Sequence, residues 1–173
     1  DDKHAKAAAR AEKLAYEAMH DKLTGLTIGS VFQSQVDGLL SDNGSEGCCF
    51  AIIDIDGFKE INSVYGRKCG DEVLKAAAKV LSEVVRVDDV TARIGGDEFA
   101  VFFKCEARYF DSLIAKIRDN LEFDYDGVNV SACIGAARVS DNDSDYEYLF
   151  TLADKALNQA KQEGTASYKL TNK

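Results

Sequence analysis

Apolar positions along this chain recur with two periods, and the switches between them outline alternating helices and strands. Residues 1–20 are rich in Ala, Lys and Glu, with Ala7, Ala11, Leu14 and Ala18 at alternating spacings of four and three. That spacing predicts one helix with a narrow coiled-coil-like stripe. Such a stripe fits a connector that pairs with its twin and relays a signal from an upstream input domain. It fits equally a solvated leading helix packed on its own domain. After the turn L-T-G-L, residues 30–40 read as helix, and C-C-F-A-I-I-D-I-D (48–56) reads as a buried strand ending in acids. G-F-K-E-I-N-S-V-Y-G (57–66) predicts a short helix and residues 71–85 a longer one. Residues 91–94 and 99–103 are β-rich and flank G-G-D-E, which predicts a hairpin with its tip at the glycines. Residues 106–122 return to helical spacing, 128–139 read as a strand, 146–162 as a helix and 167–170 as a last short strand. The order β-α-α-β-β-α-β-α-β predicts an α+β fold around a largely antiparallel sheet. One domain over 21–173, preceded by a connector helix over 1–20, accounts for the whole pattern.

Composition narrows the class. At 173 residues with 46% hydrophobic side chains the chain can bury a core and is no disordered tail. No apolar run approaches the roughly 20 residues that span a bilayer, and D-D-K-H-A-K-A-A-A-R lacks a signal-peptide layout. A soluble, cytoplasmic protein with no direct membrane contact is expected, cut from a longer signalling protein. A net charge of −9 argues against a nucleic-acid polymer, which wants a broad basic face, but not against a mononucleotide. Cys48, Cys49, Cys69, Cys105 and Cys133 form no C-x-x-C pair, and most sit in apolar runs. Free thiols in a reducing compartment are expected. The chain has no proline, for which we have no functional account.

Two segments place acids where stability alone would not. In I-I-D-I-D-G-F-K, strand alternation puts Asp54 and Asp56 on one face, and a buried acid there needs cations or backbone donors. Gly57, Phe58 and Lys59 then open a helix whose amides, dipole and ammonium favour phosphate. In G-G-D-E-F, Gly95 and Gly96 permit a tight turn with positive φ and close ligand approach, and Asp97 and Glu98 stand at its tip. Taken singly, the first fits a helix cap and the second a solvated turn. Facing each other on adjacent strands, they offer oxygens for Mg²⁺, which takes a few carboxylates plus substrate phosphates at about 2.0–2.1 Å. Two such ions about 3.5–4 Å apart activate a hydroxyl and stabilise a leaving pyrophosphate. Mg²⁺-dependent nucleotide chemistry follows.

R-I-G-G-D-E-F (93–99), D-I-D-G-F-K-E-I-N (54–62) and G-D-E-V-L (70–74) together resemble the GGDEF family of diguanylate cyclases. The similarity runs from D-K-L-T-G-L at 21 to A-K-Q-E-G at 164 and includes S-A-C-I-G-A-A and A-D-K-A-L-N-Q-A-K. It implies a palm-like, mostly antiparallel central sheet flanked by helices, as in nucleotidyl cyclases. It also implies a homodimer in which two GTP molecules become cyclic di-GMP, a bacterial second messenger. By the same resemblance Asp54, the Ile55 carbonyl and Asp97 ligate Mg²⁺ (or Mn²⁺), with Glu98 supporting the metal or the 3′-hydroxyl. Gly57, Phe58, Lys59 and Lys161 hold phosphates, Gly95 and Gly96 border the substrate, and Asn62 and Asp71 read guanine. Arg86 and Asp89, in R-V-D-D, correspond to the family's product-inhibition site, which binds cyclic di-GMP. An arginine fork suits a guanine edge or a phosphate, and a surface ion pair is the plainer reading.

Three departures from the family pattern stand out. Ile28 and Gly29 replace an Asn-Arg pair, Ser63 follows Asn62 where Asp is common, and Thr165 replaces an arginine that approaches the γ-phosphate. Losing one charged hydrogen bond costs about 1.5–3 kcal/mol, which weakens an enzyme without abolishing it. An active, slow cyclase is expected. The alternative is a weak or inactive module that binds GTP or cyclic di-GMP and regulates an attached domain.

Overall fold

A computed structural model describes residues 1–42, 47–140 and 145–171 of the chain. Its centre is the predicted apolar strand, β2 (Cys48–Ile55), buried at all eight positions. The alternation inside that run explains its continuity. Cys49, Ala51, Ile53 and Ile55 face one hydrophobic cluster, while Cys48, Phe50 and Ile52 face another. Each face of the sheet is covered by helices, so neither parity of the strand meets water. On the first face lie α4 (Arg67–Val84) and α5 (Phe110–Asn120), through Val73, Leu74, Ala77, Leu81, Ile114 and Ile117. On the second lie α2 (Gly29–Ser41) and α6 (Tyr146–Glu163), through Phe32, Val36, Leu149, Ala153, Leu157 and Ala160.

The sheet has six strands in the order β1-β3-β4-β2-β7-β8. Its inner pairs, β3 (Val90–Arg93) with β4 (Glu98–Lys104), β4 with β2, and β2 with β7 (Ala132–Arg138), are antiparallel. Both edge pairs are parallel: β1 (Thr27–Ile28) on β3, and β8 (Tyr168–Thr171) on β7. The expected α+β architecture holds, and the sheet is mostly antiparallel as expected, the two edge pairs being the parallel exceptions. The hydrophobic pattern misses β1, because two residues carry no period. It also runs β6 (Val128–Val130) and β7 together across Ser131, and misses β5 (Phe123–Tyr125), which pairs with β6 as a separate hairpin. That hairpin turns at Asp126 and Gly127, both with positive φ (49° and 86°), the Asp-Gly geometry that matches strand twist. Helix α4 starts four residues before the predicted 71, and α3 (Phe58–Tyr65) precedes it.

Helix α6 lies flush on β7. A Cβ on Gly135 would fall 2.1 Å from the Leu157 nitrogen and 2.2 Å from the Ala153 carbonyl oxygen, so only glycine permits this contact. The approach fixes the register of α6 and, one turn beyond Leu157, the position of Lys161. Helix α1 (Asp2–Met19) has no buried residue. No helix among the described residues is long and apolar enough to cross a membrane. All five cysteines are free, with Cys48, Cys49 and Cys133 buried.

Candidate active site

The two acidic segments meet at one end of the sheet. Register pairs Asp54 on β2 with Glu98 on β4 and with Cys133 on β7. Alternation then puts Asp54 and Glu98 on the same face as Phe50, Ile52, Ala100 and Phe102, the face that α6 covers. The Ile55 amide donates to the Asp97 carbonyl at 3.2 Å, which holds the turn against the end of β2. Lys161, on the last turn of α6, reaches down to Asp54 Oδ2. A cleft of about 470 Å³ opens here, lined by Asp54, Ile55, Gly57, Phe58, Lys59, Asp97, Lys161 and Thr165 among others. Seven of the residues expected for metal or phosphate therefore share one space.

The charges in this cleft are not balanced. Asp54 is 9% exposed, and its Oδ1 is buried without a hydrogen-bond partner among the described residues. Its carboxyl is raised to about 6, by burial first, with the bond from Lys161 pulling down and the neighbouring Asp97 pushing up. Glu98 is raised too, by burial first and then by Asp97 and Asp154. Burial works to lower the Lys161 ammonium, but Asp54, Glu98 and Asp97 outweigh it and raise it. One ammonium thus faces several carboxylates, and an orphaned buried oxygen costs about 1–3 kcal/mol. A hard divalent cation resolves both problems. Among the described residues no three acidic, His or Cys side chains converge as a ready-made cage. The residues fit a cation that takes one or two carboxylates and completes its shell with phosphates, the habit of Mg²⁺.

Beside the acids, Gly57 has φ 60° and opens α3, and no side chain caps that helix. Its first amides are left for an anion, with Lys59 exposed next to them. Asn62 lies one turn further along α3, its Oδ1 buried and without a partner among the described residues. A Cβ on Gly70 would stand 1.9 Å from that oxygen, so glycine at the start of α4 makes room for the carboxamide, with Asp71 beside it.

The glycines of the turn act differently from expectation. Neither Gly95 nor Gly96 has positive φ. A Cβ on Gly95 would press Glu98 at 3.4 Å, whereas Gly96 faces open space, so their use is close approach rather than backbone freedom. Their carbonyls are held by Arg93, whose Nε and Nη2 donate to Gly96 O at 3.2 and 2.7 Å, while Nη1 pairs with Asp21 Oδ2 at 3.1 Å. Asp21 in turn accepts from the Thr24 amide and hydroxyl. Sequence reasoning missed both Arg93 and Asp21, although an arginine two residues before a glycine pair was a readable signal. It also grouped Asp56 with Asp54. The Asp56 carboxylate is already engaged, by Ser131 Oγ at 2.7 Å and the Ala166 amide at 2.8 Å.

Arg86 and Asp89 lie elsewhere, on a pocket of about 380 Å³ that Asp88, Phe102 and Lys104 also line. Asp89 Oδ2 accepts from the Arg86 amide at 2.9 Å and Oδ1 from the Lys104 amide at 3.4 Å, so its carboxylate braces a turn. Of the departures from the family pattern, Ile28 and Gly29 lie at the β1 edge and Ser63 on the exposed side of α3, while Thr165 alone lines the cleft.

Known proteins resemble this chain in sequence and fold. The sequence profile of the diguanylate cyclase GGDEF domain matches residues 18–167. Diguanylate cyclase DgcS of Shewanella oneidensis is 34% identical over 164 residues, 92% of this chain and 55% of that protein. The chain thus spans about half the length of that relative. The coiled coil and GGDEF domain of DgcB from Caulobacter crescentus, solved with c-di-GMP, superposes with a TM-score of 0.88 at 24% identity, covering 98% of this chain and 94% of that one. The DgcB GGDEF domain alone, also with c-di-GMP, gives 0.82 at 27% identity over 89% and 96%. With its motifs meeting at one cleft and the profile covering most of its length, the chain belongs to the diguanylate cyclase GGDEF domain family.

Proposed function

We propose that this chain condenses two GTP molecules into cyclic di-GMP and two pyrophosphates, each of two domains holding one GTP. The observation that carries the reading is the buried, unpartnered Asp54 Oδ1 beside Asp97 in a cleft walled by the uncapped start of α3. Asp54, Asp97 and the Ile55 carbonyl would hold Mg²⁺ or Mn²⁺, with Glu98 close by. The metal supplies Lewis-acid stabilisation of charge on the transferring phosphoryl group and lowers the pKa of the attacking 3′-hydroxyl. The chain's own residues do the positioning. The Gly57 and Phe58 amides with Lys59 and Lys161 hold the β- and γ-phosphates, and the open space at Gly96 admits the nucleotide. Asp71 accepts from the guanine N1 and N2 donors and Asn62 reads its edge, a pairing adenine does not offer. Each 3′-hydroxyl attacks the α-phosphate held by the other domain, and pyrophosphate leaves.

A half-site holds one GTP, so turnover needs two copies face to face. The unburied α1, with Leu14, Tyr16 and Met19 exposed, supports pairing through that helix. Arg86 on its separate pocket would bind cyclic di-GMP as a feedback ligand, with Asp89 shaping the turn. The cytoplasm fits, since it supplies GTP and keeps five thiols reduced. Thr165 on the cleft wall favours a second reading, a nucleotide-binding module without turnover. Chromatography of nucleotides after incubation with GTP and Mg²⁺ separates the two. Cyclic di-GMP from the wild type and none from Asp97→Ala supports the cyclase. Tight GTP binding with no product, even in forced dimers, supports the module.

A further inference from the structure

Asp56 is the acid that metal and phosphate leave unused, and its bonds lead to the far wall of the cleft. Its Oδ2 joins Ser131 Oγ, at the entry to β7, to the Ala166 amide, in the turn between α6 and β8. That turn is not one the sequence would choose. Ala166 has φ 52°, a left-handed conformation that alanine disfavours, and Gly164 before it has φ 128°. Around it, the Cys133 thiol donates to the Gly164 carbonyl at 3.3 Å, and the Ile134 amide to the Ser167 carbonyl at 3.0 Å. Gly164 and Thr165 line the same cleft as Asp56 and Lys59, and Lys161 lies three residues upstream of Gly164. Strain of this kind persists where the surroundings impose it, and the carboxylate bond to the Ala166 amide is a charge-assisted restraint on the strained residue itself.

We propose that Asp56 is a positioning residue for the nucleotide. By fixing the 164–166 turn it sets the Thr165 side chain, which follows the helix that carries Lys161, against the phosphate side of the cleft. Its effect is on capture of the phosphates and not on the reacting atoms. The inference rests on the reading of the cleft as the GTP site.

The test compares the wild type with Asp56→Ala, Asp56→Asn and the double variant Asp56→Ala/Ala166→Asn. Asparagine enters the left-handed region readily and so restores the turn without the carboxylate. Two quantities are read: cyclic di-GMP formation over a GTP series, and calorimetric binding of 3′-deoxy-GTP, which lacks the attacking hydroxyl. Asp56→Ala should raise KM and weaken 3′-deoxy-GTP about tenfold, with kcat within about twofold, the loss expected for a misplaced charged bond. Asp56→Asn, which keeps an acceptor oxygen, should fall between, and it serves alone if the alanine variant does not fold. The added Ala166→Asn should recover most of the loss. Unchanged KM and binding in the folded single variants overturn the proposal, as does a loss that Ala166→Asn leaves untouched. A wild type that neither binds 3′-deoxy-GTP nor forms product overturns the reading of the cleft itself, and this inference with it.

Discussion

The cleft at the end of β2 and the R-V-D-D turn are both acidic, yet their carboxylates are in opposite states. In the cleft Asp54 is buried, carries an orphaned oxygen and shares a single ammonium with its neighbours. In the turn each oxygen of Asp89 accepts a backbone amide, and nothing is left over. Asp56, two residues from Asp54, behaves like Asp89. The contrast teaches that an acid is marked for chemistry by what its surroundings fail to supply, not by the presence of charge. Satisfied acids stabilise the fold, whereas Asp54 costs stability until a ligand arrives.

Breaking the cleft side gives the largest effect. Asp54→Asn should reduce cyclic di-GMP formation by more than about a hundredfold, the scale for losing a charge-stabilising group. The metal-free variant should be no less stable in thermal unfolding, because the substitution removes an unsatisfied charge. Unimpaired turnover would place the metal elsewhere.

Acidification tests the same acid without mutation. Asp54 titrates at about 6 in the folded state against an ordinary 3.8, so the native state holds the proton more tightly between these values. In metal-free protein this group therefore adds stability as pH falls from about 7 toward 4, by up to about 3 kcal/mol, and loses it as pH rises through about 6. Cation affinity should run the other way, falling up to about tenfold per pH unit below 6. Unfolding curves and Mn²⁺ titrations across pH 5–8 read both signs.

Gly70→Ala sharpens the comparison within the cleft. The added methyl displaces the Asn62 carboxamide and should weaken GTP binding about tenfold, as expected for a lost polar contact to a base. Binding of inorganic triphosphate with Mg²⁺ should be unchanged, which calorimetry would report. The smallest effect is expected on the satisfied side. Asp89→Ala should cost about 1–2 kcal/mol of stability through its two amide bonds, with uninhibited turnover within about twofold. A larger loss of turnover would mean that the R-V-D-D turn reaches the cleft.

Much of this was legible in the sequence, and the limits have physical causes. The apolar run of β2, the helices over it and the G-G-D-E hairpin carry strong periods, so they were readable. The two-residue β1 and the β5–β6 hairpin carry none, and only register in the sheet reveals them. The site residues Asp54, Gly57, Lys59, Asp97 and Lys161 were named through motifs, and the fold brings them to one cleft. Partner assignment was out of reach. Period-2 alternation puts Asp54 and Asp56 on one face, and both do line the cleft, but alternation says nothing of partners, and Asp56 is the one engaged by Ser131 and Ala166. Tight turns often need positive φ, but neither glycine of this turn has it; Gly95 leaves room for Glu98 and Gly96 faces open space.

The eight buried positions of β2 have a consequence before the protein is folded. C-C-F-A-I-I is an uncharged, proline-free, β-prone window of the kind that self-associates when exposed on a nascent or unfolded chain. Asp54 and Asp56 stand at its end, where charged residues act as gatekeepers against intermolecular strand pairing. The Asp54 carboxylate that burdens the native state thus helps to keep the chain from aggregating on the way to it.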